Sequence, residues 1–255
     1  MQYLISNADD FGRSPAINSA IRECFKNGLV SDTSIMVTCK EGVDELLEQG
    51  NMDVLNGTAG CHLTLTLGKP LTERVKSIPF IVKDGDFQEF PSKLPRLSSE
   101  DKLAIQEEFI AQINYIKNVL GLEITHLDSH QHIHFDLQLL PIVASACRQA
   151  GIPYLRIPSR AKNLSFKSKI ATWVKMMYIK LNGIKVVDFF GSPNQILSKH
   201  PQVYNITELM IHPMYDSRYN IVNKVRVKGA DDCENIADTL EPFAKYEKIS
   251  FKDIL

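Results

Sequence analysis

The sequence predicts an α/β protein folded as a (β/α) barrel, TIM-like and either distorted or seven-stranded. Three observations carry that expectation. Short β-rich runs alternate with longer helical stretches seven or eight times over 255 residues, the rhythm of a parallel sheet wrapped by helices. Reactive side chains fall repeatedly just after the strands, at the end where barrels build their sites. The glycine fingerprints that accompany open nucleotide-binding sheets are absent, which leaves the doubly wound sheet as the fallback. A chain of this length can close one large core, so residues 1–255 are expected to form a single domain.

The elements follow in order. "YLIS" (3–6) reads as the first strand, and Ser14-Pro15 opens a helix, serine capping free N–H groups and proline pre-setting the first turn. Gly28 is a fitting stop for that helix. "TSIMVT" (33–38), then the helix "VDELLEQG", then "GCHLTLT" (60–66) continue the alternation. Residues 69–97, rich in proline, glycine and charge, form an excursion over one rim. Residues 98–121 give the clearest helix, with a serine cap, early acidic residues and an apolar stripe through Ile105, Phe109, Ile113 and Ile116. "EITHLD", a helix near 136–150, the strand "IPYLRIP" and a partly amphipathic helix over 167–182 come next. "VVDFFG", "ELMIH" and the terminal "KISFKDIL" are three further strands, with a helix around 231–247 before the last.

Composition narrows the function by exclusion. A net charge of −1 carries no global electrostatic footprint for nucleic acid or an acidic membrane, so neither is expected as a partner, and the apolar runs are too short and too charged to cross a membrane. No basic segment precedes an apolar stretch at the N-terminus, so no signal peptide is read. The five cysteines are scattered and form no C-x-x-C pair, which argues against both disulfides and a cysteine zinc site and points to the reducing cytoplasm.

The candidate site gathers at the strand ends. Asp9 and Asp10 follow the first strand; adjacent carboxylates there can divide metal binding from proton transfer, although in isolation D-D-F-G is more often a turn. His62, alone in an apolar segment, is more often a hydrogen-bonded core histidine. The strong signal is "THLDSHQHIHF" (125–135), four of the chain's seven histidines within nine positions. Kept extended, it would turn His126, Asp128, His130, His132 and His134 to one side, and so much imidazole calls for a cation or carboxylate partner. Histidine with carboxylate suits Zn, Mn, Fe or Co, while Mg prefers oxygen. Arg156 fits either a carboxylate clamp on a residue such as Asp9 or a structural ion pair, and His212 either a strand-end histidine or a general acid.

Four segments then point to a family. "NADDFG" (7–12), "GCHLTLT" (60–66), "HLDSHQHIH" (126–134) and "ELMIHP" (208–213) resemble the signatures of the YdjC-like carbohydrate deacetylases, which include chitooligosaccharide deacetylases and are similar in layout to the NodB-type polysaccharide deacetylases. The resemblance runs in order from residue 2 to the C-terminus and is weakest over 160–205. It implies a barrel hydrolase that uses one divalent metal ion, magnesium or zinc, to remove acetyl from an N-acetylated sugar such as a short chitooligosaccharide. By matched position it implies Asp10, His62 and His130 as metal ligands, Asp9 as general base and His212 as general acid. Asp128, His132, His134 and Arg156 then support these groups or touch substrate, and His126 is structural. Met214 departs from the small residue that relatives carry after "HP". The segment 160–205, with Trp173, Met176, Met177 and Tyr178, is open to a role as a lid, a sugar platform or the contact of a homodimer.

Two other readings stand beside this one. A metal-dependent phosphoesterase or amidohydrolase also uses H-x-H near a strand end, but such sites generally hold two metals and need more carboxylate or lysine ligands than this chain offers. A sugar- or metal-binding relative without catalysis is the other, and intact Asp9 and His212 speak against it.

Overall fold

The protein is described here by a computed structural model covering all residues except 1, 50–54, 56, 90, 92, 158–165, 199–204 and 228–229. Seven parallel strands make the main path of the central sheet: β1 (Tyr3–Phe11), β2 (Asp32–Ile35), β3 (Ala59–Leu63), β4 (His126–Ser129), β5 (Tyr154–Leu155), β6 (Phe189–Gly191) and β7 (Ile206–Ile211). A short eighth strand, Glu247–Lys248, pairs in parallel with β1 beside this path. The spatial order along the path is β5-β4-β3-β2-β1-β7-β6. A parallel bridge between Tyr154 and Lys185, just before β6, stitches the two edge strands together. The result is the expected distorted (β/α) barrel, with seven strands in its main path.

The helices begin and end where their sequences dictate. In α1 (Pro15–Lys26) the Ser14 hydroxyl accepts from the Ile17 N–H, and Gly28 follows with φ 65°. The helix α2 (Lys40–Gln49) comes next, and α3 (Ser99–Asn118) opens with a Ser98/Asp101 capping box. Its stripe of Ile105, Phe109, Ile113 and Ile116 is fully buried, as the spacing predicts. The helix α4 (Leu140–Ala150) ends on left-handed Gly151, and α5 (Phe166–Leu181) crosses from β5 to β6.

Inside the barrel, side chains rise in layers along β1. At the closed end, Phe251 from a terminal 3-10 turn (Phe251–Ile254) joins Ile5 and Tyr154 in one apolar cluster. Above it the His126 ring stacks on Phe251, with centroids 4.1 Å apart, and its Nε2–H donates to Asn7 Oδ1 at 3.1 Å. Gly60 lies against the same ring, where an added Cβ would come within 2.2 Å of Nε2. His126 is therefore structural, as expected.

Three sequence expectations fail. The 126–134 segment does not stay extended: β4 stops at Ser129, and residues 130–135 curl into 3-10 turns with left-handed Gln131 and His132 (φ 55° and 56°). The helix expected over 231–247 is instead a strand (Ala230–Asn235) followed by the short helix Ile236–Leu240. That strand completes a three-stranded antiparallel sheet with Pro213–Tyr215 and Ile221–Val227 that was not foreseen. The last strand is only Glu247–Lys248, because the residues after it turn inward as the Phe251 plug.

Candidate active site

The two adjacent aspartates should face opposite sides of a strand. They do not, because β1 slips register against β2 between Ala8 and Phe11, and Asp10 takes φ 75°. This bulge turns both carboxylates toward the rim, and aspartate is among the few residues that tolerate a left-handed conformation. The turn behind it is locked: Asn18 Oδ1 accepts from the Gly12 N–H, and Asn18 Nδ2 donates to the Gly42 carbonyl.

Arg156 is the buried hub. Its Nη1 and Nη2 donate to the two oxygens of Asp9, both at 2.7 Å, and its Nε donates to Glu208 Oε1 at 2.7 Å. Nη1 also lies 2.6 Å from Asp128 Oδ2, and Phe190 stacks beneath the guanidinium at 4.7 Å. Asn7 Nδ2 adds a bond to Asp9 Oδ1, and Ser34 Oγ donates to Asp128 Oδ2. Burial alone would raise the pKa of Asp9 and Asp128, but the Arg156 charge outweighs it, so both stay ionised. Glu208 keeps only one strong contact with the cation, and burial pushes its pKa up to about 7.

His62 sits opposite Asp128 across β3 and β4. A carboxylate can only accept, so His62 Nδ1–H donates to Asp128 Oδ1 at 2.8 Å, and Nε2 is left facing Asp10 Oδ1 at 3.3 Å. That oxygen is buried and makes no hydrogen bond, while Asp10 Oδ2 is held by Arg13 at 2.8 Å. Burial works against charging His62, but Asp128, Asp10 and Asp9 prevail and push its pKa up to about 10. A cation seated at Nε2 would take the place of that proton in the same field.

His130 closes the third side. Its ring centroid is 5.9 Å from that of His62, and Nδ1 is bonded to Thr66 Oγ1 at 2.6 Å, so Nε2 can serve as a ligand. Burial lowers its pKa to about 4, which keeps it neutral as a ligand must be. His212 stands across the cavity, about one-third exposed, with Nε2 3.9 Å from Asp9 Oδ2. Its backbone N–H donates to Asn223 Oδ1 of the antiparallel sheet.

Among the described residues, Asp9, His62 and Asp128 form the group whose ligand atoms lie close enough together to share an ion. Their oxygens, however, are already bonded to Arg156, Asn7, Ser34 and His62, so an ion there would have to displace existing partners. Asp10 Oδ1, His62 Nε2 and His130 Nε2 are a second candidate set that does not converge as closely, but Asp10 Oδ1 makes no hydrogen bond and each imidazole is anchored through its other nitrogen. One carboxylate oxygen and two imidazoles form a donor set of borderline softness.

These residues open onto a cavity of about 400 Å³, walled by Phe190, Met210 and Met214 and by Asn223, Lys224 and Glu234 of the antiparallel sheet. His132 lines it, its ring stacked on Phe135 and edge-on to Phe190. His134 does not: it is fully buried and folded back onto Ser129 Oγ at 2.5 Å. None of the cavity's walls comes from α5, so Trp173, Met176, Met177 and Tyr178 provide no sugar platform there, whereas Phe190 and residues 192–195 of the same 160–205 segment do line the cavity.

A profile of the YdjC-like protein family matches residues 3–240. The chain belongs to the YdjC-like family. Proteins named chitooligosaccharide deacetylase from Salmonella paratyphi B (strain ATCC BAA-1250 / SPB7) and Salmonella enteritidis PT4 (strain P125109) are each 38% identical to this chain over 152 residues. Those matches cover 58% of this chain and 57% of each relative, so the chain spans little more than half the length of the curated relatives it matches. A crystal structure from Enterococcus faecalis V583, provisionally described as a cellobiose-phosphate cleavage protein, superposes with TM-score 0.70 and 22% identity over 99% of this chain and 98% of that one. That likeness supports the YdjC-like barrel as a fold.

Several residues of this YdjC-like site were not singled out from sequence. Asn7, Arg13, Ser34 and Thr66 each hold a candidate group through one hydrogen bond. Glu208 could have been found, since it shares strand parity with His212 and must therefore point to the same face.

Proposed function

We propose that this protein is a metal-dependent hydrolase that removes the acetyl group from an N-acetylated sugar, with short chitooligosaccharides as the substrate class. The observation that carries this reading is the pairing of a buried, arginine-clamped Asp9 with a partly exposed His212 across one cavity, next to Asp10, His62 and His130. The names borne by the Salmonella relatives support the choice of sugar amide. The site is the work of one domain, residues 1–255, and five unpaired cysteines accord with the cytoplasm.

Asp10, His62 and His130 would hold the ion, and two imidazoles favour zinc over magnesium. When bound, a divalent cation there polarises the acetyl carbonyl and acidifies water. Asp9, kept ionised and oriented by Arg156, accepts a proton from the attacking water. Asp128 fixes the His62 tautomer. His212, on the open side, delivers a proton to the departing sugar amine, which would otherwise leave as a poor amide anion. His132 and Phe190 form the substrate edge of the pocket.

The test is acetate release from N,N'-diacetylchitobiose by protein loaded with each metal after chelation. Wild type should release acetate, and Asp9→Asn and His212→Ala should each lose about 10²- to 10⁴-fold in turnover. Full activity in Asp9→Asn would remove it as the base, and no release from any acetylated sugar would remove the reading.

A further inference from the structure

The inner face of α5 buries Met176 and Ile179. Its outer face does the reverse. Ile170, Trp173, Val174, Met177 and Leu181 are 47, 62, 46, 37 and 80% exposed. At 3.6 residues per turn these five fall on one arc, running from Trp173 through Met177, Ile170 and Leu181 to Val174. Exposed Lys169 and Lys180 border one edge of the arc, and exposed Lys167 borders the other. No acidic residue occurs between Phe166 and Leu181.

Single exposed apolar side chains need no explanation, but a contiguous stripe of five marks a contact surface. A second copy of the chain would fit it poorly. An isologous contact would bring lysine-bordered edges together with no carboxylate on the helix to pair them. An anionic lipid surface fits both the arc and its borders: the hydrocarbon arc enters below the headgroups while the lysines reach out to phosphates on either side. Sixteen residues with four lysines can lie along a membrane but not cross it, and among the described residues no helix is long and apolar enough to cross one.

We propose that the outer face of α5 docks the protein peripherally on anionic lipid. The inference is independent of the activity, since no residue of α5 lines the catalytic cavity.

Trp173 is the chain's only tryptophan, so intrinsic fluorescence reports from the middle of the stripe. The experiment titrates the full chain with phosphatidylcholine vesicles, with and without about one-third phosphatidylglycerol. We expect a blue shift and protection from acrylamide with the anionic vesicles, at least about tenfold weaker binding to phosphatidylcholine alone, and reversal by high salt. Ile170→Ser with Leu181→Ser should abolish the shift while circular dichroism stays unchanged. Replacing Lys167, Lys169 and Lys180 by glutamine should abolish the preference for anionic lipid. The proposal is overturned by the absence of a shift with either vesicle, by equal binding to both, or by a shift that survives the double serine variant. A shift that grows with protein concentration without lipid would overturn it in favour of a second copy.

Discussion

The two ends of the barrel both bury carboxylates, and they treat them oppositely. At the rim, Asp9 and Asp128 are ionised, because one arginine touches both and also holds Glu208. At the closed end, Asp32 is just as buried, and among the described residues it accepts from Ser31 Oγ and the Phe251 N–H. With no cation beside it, burial pushes its pKa up to about 8. The contrast teaches that burial alone does not decide a carboxylate's charge here; the contacts with Arg156 and its neighbours do, and Glu208, with a single bond to the guanidinium and a pKa of about 7, lies between the two cases. It also explains why reactivity belongs to the rim. An ionised, oriented carboxylate next to an unbonded Asp10 oxygen can take up protons and cations, whereas a neutral acid at the base only holds the plug in place.

The sharpest way to break the contrast is to remove its cause. Arg156→Met should strand three carboxylates and destabilise the fold by about 3–5 kcal/mol, measured by urea unfolding. A loss below about 1 kcal/mol would show that the network is not held by that charge. A smaller effect is expected between the two ends. Gly60→Ala would press a methyl into the His126 ring and should cost about 1–3 kcal/mol. Combined with His126→Ala, the loss should be smaller than the sum of the two single changes; strict additivity would mean that the ring does not set the glycine.

A further test lies at the base and is a matter of pH. The folded pKa of Asp32 is raised to about 8, against about 3.9 unfolded. The folded state therefore keeps a proton that the unfolded state releases. The contribution of Asp32 to stability is full below about pH 4 and is lost as pH rises toward 8. Asp32→Asn keeps the hydrogen bonds and removes the proton, so its stability relative to wild type should rise across that window by up to about 1.4 kcal/mol per pH unit. Parallel stability curves for the two proteins would show that Asp32 is ionised in the fold.

Much of this arrangement was legible in the sequence, and the reason is periodic. Alternation placed His62, His130 and His212 at strand ends, and a barrel brings strand ends together whatever their distance along the chain. What could not be read depends on single backbone conformations. The bulge that turns Asp10 beside Asp9 requires φ 75° at one residue. The paired left-handed Gln131 and His132 send His132 to the cavity and His134 back into the core, against the expectation of one extended row. The Phe251 plug is a long-range contact in a stretch that reads locally as a strand. The antiparallel sheet was missed although "IVNKVRV" alternates, because the alternation is weak and a helix was read into the residues after it.

The central claim is that Asp10, His62 and His130 seat a cation while Asp9 is held apart by Arg156 as a base. Metal content after chelation and reloading, compared among wild type, Asp10→Asn and Asp9→Asn, tests it most directly. The account predicts one divalent ion per chain in wild type and in Asp9→Asn, and almost none in Asp10→Asn. Loss of the ion from Asp9→Asn with retention in Asp10→Asn would contradict it and move the site to the Asp9, His62 and Asp128 group.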